Sequence, residues 1–440
     1  MFFLTDLDPN AKVKGARDPL GSQAVWSGFG RRVVGNLTTQ TTSLDDFRVL
    51  LIGTWLIDRS AGAGIPRANV FVAWEQLASY ARFIIRNRGG FRGINQVQLR
   101  VQRSTKQHEA IGVGPSRTSQ ILTNQAAYGI WGLYTAAASR SGIIDWNATN
   151  LLSSTATSLV EDVYLPRLSE AWGTDARELL KWVSQGASLK HWTVDHARKL
   201  TAIASAIDDR LTTRERQFLR DTIVYGGEDL TGTASGRVRL RQRELAPLLS
   251  KTASGPVTTR GDVVRIAGRA CDDLSDALEA ILACESILAP AARVFSFICD
   301  HHGTHVDKVV AQLRDHFREV TLVTGTEVHR LRQAKAETPE LLTAPGEETT
   351  QRAGRWMQIA DALQAKDFDV LTRLLIEQNT MVSRDRGGSL GWVNINEKQK
   401  VQVRLKAGDL GLGDPSHDRW RWLNSYFLDN LLAMTRAVEA

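Results

Sequence analysis

The densest run of side chains suited to metal or acid–base chemistry is Cys299-Asp300-His301-His302-Gly303-Thr304-His305, followed by Asp307. Imidazoles and carboxylates at that density can bind zinc or manganese, and His301 and His305 align if the segment is one helix. Gly303 argues against an unbroken helix, and a His-rich polar corner between two helices is the competing reading. The His191-x-x-x-Asp195-His196 spacing could pair a carboxylate with an imidazole, but no nucleophile accompanies it. Asp272, Asp276 and Glu279 share a helix face, where carboxylates are more often solvated or paired than metal-bound. The Gly112-x-Gly114-Pro-Ser-Arg-Thr segment lacks the Lys-Ser/Thr ending of a P-loop. No G-x-S-x-G elbow occurs, and Glu397-Lys398 falls in a hairpin turn instead of following a nuclease-type strand. These residues predict a non-enzymatic protein with no metal and no cofactor.

Binding chemistry is more legible. Between Glu75 and Glu109 the chain carries Arg82, Arg86, Arg88, Arg92, Arg100, Arg103 and Lys106 and no acid. Residues 1–110 hold 15 Lys/Arg against 8 Asp/Glu, so the whole net charge of +7 resides there and the remainder is neutral. A local cationic excess is the electrostatic footprint of a polyanionic partner. Residues 97–103 alternate like a strand, with Gln98, Arg100 and Gln102 on one side, yet Ile94, Val97 and Val101 fit a helix equally well. In either case Arg and Gln share a surface. Arg can fork onto phosphate or guanine, and Gln can pair with adenine. Gly62, Gly64, Pro66, Gly89 and Gly90 would let the backbone turn close to a ligand. Six such cations on phosphates would lose about 10³-fold in affinity between roughly 50 and 200 mM salt. The competing reading pairs these arginines with acids from the rest of the chain.

A shorter cluster, Arg237-Val238-Arg239-Leu240-Arg241-Gln242-Arg243, follows a Gly-rich stretch and reads as a mobile basic loop entering a helix. Arg31-Arg32 precede Asn36, Thr38, Thr39, Thr41, Thr42 and Ser43, polar groups that could hold phosphate beside a helix N-terminus at Leu44. A plain N-cap by Thr42 or Ser43 is the alternative. Lys398, Lys400 and Arg404 sit in a hairpin that could press on a phosphate backbone or cover a core edge. The candidate nucleic-acid contacts are therefore Arg31, Arg32, Arg82, Arg86, Arg88, Arg92, Arg100, Arg103, Lys106, Arg237, Arg239 and Arg241.

The elements that must position these groups are mostly helices. At 440 residues the chain exceeds the size of one hydrophobic core, and 42% hydrophobic with 23% charged residues is a globular composition. Val70, Trp74, Leu77, Ala81 and Ile84 recur at helical spacing up to a stop at Gly89-Gly90. Asp175-x-x-Glu178 and Thr212-x-x-Glu215 predict capping boxes. Amphipathic runs are expected over 263–288, ending near Pro290, and over 306–336, breaking at Gly325. A last helix is expected with Leu423, Tyr426, Phe427, Leu431 and Met434 on its apolar face and Asp429 opposite. Trp392–Ile395 and Val401–Leu405 alternate around a polar turn and predict a β-hairpin within about 390–406. The expected class is mainly α, a multi-helix, two-domain protein with a small β-hairpin near the C-terminus. A basic helical domain would span 1–145, and a helical body with the hairpin and last helix would span 146–440.

Cys271, Cys284 and Cys299 make an odd count with no C-x-x-C spacing, which suits reduced thiols in a cytoplasm. Cys271 shares a helical stripe with Leu274, Leu278, Ile281 and Leu288 and is expected in a core. Met1-Phe2-Phe3-Leu4 runs into Asp6 and Asp8, unlike a signal peptide. The apolar stretch 49–57 is far shorter than the roughly 20 residues a membrane span needs.

The phrases Arg17-Asp18-Pro19-Leu20-Gly21, Trp26, Gly30-Arg31, Asn36-Leu37-Thr38-Thr39 and Gln125-Ala-Ala-Tyr128-Gly129-Ile-Trp131-Gly132-Leu-Tyr134 resemble uncharacterised bacterial proteins of anti-phage defence islands. The likeness covers about the first 140 residues and the C-terminal helix. It implies a cytoplasmic accessory subunit working beside other subunits such as a helicase or nuclease, with no catalytic residues to carry over. Together with the basic segment, it predicts a non-catalytic subunit that binds or senses nucleic acid, with duplex DNA the expected partner and no membrane. A scaffold meeting acidic partner proteins, or a metal-dependent nuclease using His301–His305, would be the alternatives.

Overall fold

The structure, a computed structural model, describes residues 18–61, 64–228, 236–252, 255–337, 349–388, 390–406 and 410–440. Gly62, Arg17, residues 1–16, most of the Gly-rich stretch before Arg237 and most of the 337–350 loop lie outside the described residues. The chain is 65% helical with two short two-stranded sheets, which makes it mainly α as expected. It forms two compact units: a flanking unit of residues up to Val33 with Lys251–Asp429, and an inserted unit of Val34–Ser250 with Asn430–Ala440. A boundary at 145 is not where the chain divides. Contacts made across that point within the inserted unit override it: Asn36 donates to the Ile223 carbonyl, and Ile111–Val113 pairs with Ala187–Leu189.

The chain begins in the flanking unit with α1 (Ser22–Arg31), whose first amides donate to the Asp18 carboxylate. It then enters the inserted unit through α2 (Leu44–Ser60), α3 (Arg67–Arg86) and α4 (Ile94–Gln107). Strand β1 (Ile111–Val113) leads to α5 (Gln125–Tyr128), α6 (Ile130–Arg140), α7 (Ser154–Leu159), α8 (Leu165–Trp172) and α9 (Arg177–Gln185). Antiparallel strand β2 (Ala187–Leu189) closes on β1 before α10 (Val194–Asp208), α11 (Thr213–Leu219) and α12 (Gly236–Thr252). Helices α2 and α3 are buried almost all round, as their apolar composition requires. Gly53 lets them meet, because a Cβ there would strike Phe71 and Trp74. The Trp74 indole N–H donates to the Val49 carbonyl (2.8 Å), so its large apolar area is buried with its one polar atom satisfied. Arg48 and Glu215 form a core ion pair at 3.1 Å between α2 and α11. Thr212 and Glu215 close the capping box expected at α11. Asp175 does not cap: it lies in the left-handed region (φ 54°), and Glu178 pairs with Lys199 instead.

The flanking unit resumes with α13 (Arg260–Ala267), α14 (Asp272–Cys299), α15 (Val306–His316), α16 (Gly325–Glu337), α17 (Thr349–Ala365) and α18 (Phe368–Asp385). The expected 263–288 run is two helices, broken at 268–271, and α14 continues through Pro290 instead of ending there. Burial of both flanks of that proline outweighs the hydrogen bond it forfeits. The expected 306–336 run breaks at Phe317, and Gly325 starts the next helix. Helix α14 is long and apolar enough to cross a membrane, yet 89% of its most apolar window is buried within the fold, which marks it as a core helix. Cys284 and Cys299 are in that core, whereas Cys271 is exposed at the N-cap of α14, three positions before its apolar stripe begins at Leu274. Strands β3 (Val393–Ile395) and β4 (Val401–Val403) form the expected hairpin. The last helix, α19 (Leu428–Glu439), starts later than expected: Tyr426 and Phe427 sit at positive φ before it. Their rings pack on Trp26, and Asp429 is turned inward to accept from the Val257 amide.

Candidate nucleic-acid interface

The arginines on α3 do not form an open cationic face. Asp45 and Asp46 in the first turn of α2 and Asp208 and Asp209 at the end of α10 converge on them. Arg82 is 5% exposed and pairs with Asp46 (2.7 Å) and Asp208 (3.4 Å). Arg88 pairs with Asp45 (2.8 Å) and Asp208 (3.1 Å), and Arg86 pairs with Asp209. Two of these four acids come from outside residues 1–110, so the local excess of +7 is partly cancelled by the fold. For Arg82, Arg86 and Arg88 the competing reading holds: they pair with acids of the fold and are not an open phosphate-binding set. Arg92, exposed beyond the Gly89-Gly90 turn, bonds the Gln40 side chain.

Arg100 is structural in another way. Its guanidinium donates to the carbonyls of Thr118, Ser119 and Gln120, clamping the loop after β1. Gln76 pins the start of the same loop, since its amide both donates to and accepts from the Gly114 backbone at 2.9 Å. That segment does follow a strand, β1, but it holds no phosphate-binding lysine.

Residues 97–103, equally strand or helix in the sequence, are helical, and α4 is the exposed element of this region. Only Val97 and Ser104 are buried, on one side. At 100° per residue, Asn95, Gln98, Leu99, Gln102, Arg103 and Lys106 fall on the opposite side and are all exposed. This face has no carboxylate. Leu99 is 58% exposed, and the Arg103 side chain is 70% exposed, with Glu109 3.6 Å away. Beside the C-terminal end of α4 stands an aromatic group the basic segment gave no hint of. The His108 and Trp192 rings lie 5.2 Å apart, His191 and Trp192 lie 5.3 Å apart, and Thr105 meets His191. Lys190 is exposed next to them, and exposed Arg117 sits on the loop clamped by Arg100. The β1–β2 pairing brings the 190–192 segment to α4. The visible signal was the Lys-His-Trp sequence itself; its neighbour was not visible.

The other candidates are dispersed. In the flanking unit Arg31 stacks over the Phe427 ring at 4.1 Å, and Arg32 is half-buried and has partners of its own. In the inserted unit Arg237 and Arg241 are engaged, Arg241 is buried, and Arg239 donates to the Gly227 carbonyl. This segment belongs to α12 from Gly236 onward and is not a basic loop. Asn36 is buried and bonds Ser141 (2.8 Å) and Gln242 (2.8 Å), and the Thr42 and Ser43 amides both donate to the Tyr134 hydroxyl. Asn36 and Thr41 are thus internal structure, and the backbone at Thr42 and Ser43 is held by Tyr134. His301 bonds the Phe297 carbonyl, His302 accepts from the Val403 amide, and His305 caps α15. Three imidazoles with three separate tasks do not converge, and no group of three or more metal-ligating side chains occurs among the described residues.

No protein-family model, curated protein or solved structure matches the chain.

Proposed function

We propose that the inserted unit binds duplex DNA through the outward face of α4, and that the protein serves as a non-catalytic DNA-binding or target-sensing subunit of a multi-protein prokaryotic defence system in the cytoplasm. The observation that carries the reading is the composition of that face: amides, cations and one leucine, exposed along a 14-residue helix, with no acid. At 1.5 Å per residue such a helix is about 21 Å long, and the major groove of B-DNA admits a helix of this kind. Gln98 and Gln102 suit adenine, Arg103 suits guanine, and Leu99 suits a thymine methyl. Lys106, Arg117 and Lys190 supply phosphate contacts. The resemblance to defence-island proteins supports the subunit role.

Charge reversal tests the reading. Arg103→Glu/Lys106→Glu/Arg117→Glu should abolish the gel shift of a duplex at about 50 mM salt without lowering thermal stability, since all three side chains are exposed. An unchanged shift in the triple variant contradicts it. Absence of any shift in the natural protein contradicts it too and leaves the face for an acidic protein partner.

A further inference from the structure

Three imidazoles of the inserted unit, His108, His191 and His196, stand where the end of α4 meets the segment after β2, and their hydrogen bonds leave them unequal in capacity for a proton. His196 is committed. Its Nδ1 accepts from the Lys190 amide at 2.8 Å, and a proton placed there would break that bond. His191 is half-buried and meets the Thr105 hydroxyl through Nε2 at 3.4 Å. That hydroxyl donates its one proton to the Val101 carbonyl (2.9 Å), so toward His191 it can only accept. Nε2 therefore carries the hydrogen of neutral His191, and the lone pair on Nδ1 can take a proton with no hydrogen bond lost. His108 is exposed at the C-cap of α4, and among the described residues its ring has the Trp192 contact and no hydrogen bond.

The charges around this pair favour neutral imidazoles in the free protein. Arg103 and Lys106 lie on α4 and Lys190 adjoins His191, all exposed, while Glu109 next to His108 is shared with Arg103 at 3.6 Å. The acids beside His196, Asp195 and Glu178, both pair with buried Lys199, and Asp195 also holds Arg198. Burial holds His191 below the ordinary imidazole value. A docked phosphate reverses that balance, because an anion within about 4–6 Å favours the charged ring. His108 further stands at the C-terminal end of a 14-residue helix, where the macrodipole favours a cation.

We propose that His108 and His191 take up protons as duplex DNA docks on α4, so that the face binds DNA more tightly in mildly acidic solution; this rests on the DNA-binding reading of the same face and supplies its regulation. Imidazole is the side chain that ordinarily titrates between about pH 5 and 8, whereas duplex phosphates stay ionised throughout. Fluorescence anisotropy of the full chain with a mixed-sequence duplex, at about pH 8 and about pH 5.5, tests the linkage. Affinity should rise at least about tenfold at the lower pH, as proton and DNA binding reinforce each other reciprocally. The slope of log K against log salt should steepen from about −3.6 toward about −5.4, since two imidazoliums join four cations. His108→Gln/His191→Gln, in which a glutamine can still donate to Thr105, should bind with nearly the same affinity at both pH values. The variant retains every carboxyl of the natural protein, so effects of pH on stability are common to both. If a melting curve shows the double variant misfolded, exposed His108→Gln carries the test and should lower the acid-side slope by about 0.9. Duplex binding that differs by less than about twofold between the two pH values overturns the linkage and leaves the DNA-binding face standing. A double variant that keeps the full acid gain overturns it as well. Absence of duplex binding at both pH values contradicts the face itself, and the linkage with it.

Discussion

Arg82 shows how a residue type can be read correctly and its role missed. An arginine on a helix in an acid-free window of sequence is a sound candidate for phosphate contact, but acids distant in sequence are neighbours in space. Asp208 is 2% exposed beside it, so the guanidinium neutralises a buried carboxylate. Breaking a buried pair from one side leaves the other charge uncompensated, and Arg82→Ala should cost about 3–5 kcal/mol in urea denaturation. Arg103→Ala should stay within about 0.5 kcal/mol, because exposed cations contribute little. Buried carboxyls also titrate unusually. Burial pushes Glu75 in the inserted unit and Glu285 in the flanking unit up to about 7. Each folded-state value exceeds the unfolded value, so each of these carboxyls holds more protons in the folded than in the unfolded chain between about pH 4.5 and 7, and its contribution to stability falls as pH rises through that window. The loss is roughly 3 kcal/mol per group at most. Melting temperatures between about pH 5 and 8 should therefore decline. Glu75→Gln should flatten the decline of the inserted unit, and a rise with pH would contradict this account.

Among the elements, Arg100 ties α4 to the loop after β1 through three carbonyls. Arg100→Ala should free that loop, raising amide exchange at 116–120 and displacing Arg117, so DNA affinity should drop although Arg100 itself faces no ligand. Unchanged exchange there would show that Gln76 alone holds the loop. Local pattern was enough to predict the Thr212–Glu215 capping box and the C-terminal hairpin, because each depends on residues a few positions apart. It was not enough for the helix through Pro290 or the inward Asp429, where packing partners decide the outcome. The β1–β2 pairing, which joins segments far apart in sequence, is three residues per strand and carries no periodic signal of its own. Yet it assembles the aromatic end of the proposed interface.

For the whole molecule, the mainly α class followed from composition and periodicity, while the division into units did not. A chain that leaves one unit after Val33, builds another and returns at Lys251 gives no composition shift at 145; of the two crossings, the return coincides with the Ser/Thr/Gly-rich stretch 250–261. Net charge likewise misled by position: +7 is a property of the chain, and pairing with Asp45, Asp46, Asp208 and Asp209 determines where it can act. With Arg82, Arg86 and Arg88 internally engaged, four exposed cations (Arg103, Lys106, Arg117 and Lys190) stand at the proposed face, fewer than the six the sequence suggested. The most direct measurement is the salt dependence of duplex binding by fluorescence anisotropy. Four phosphate contacts predict a slope of log K against log salt near about −3.6, a loss of about 10²-fold between roughly 50 and 200 mM. A slope near zero, or no binding at the lower salt, would contradict a DNA-binding face on α4.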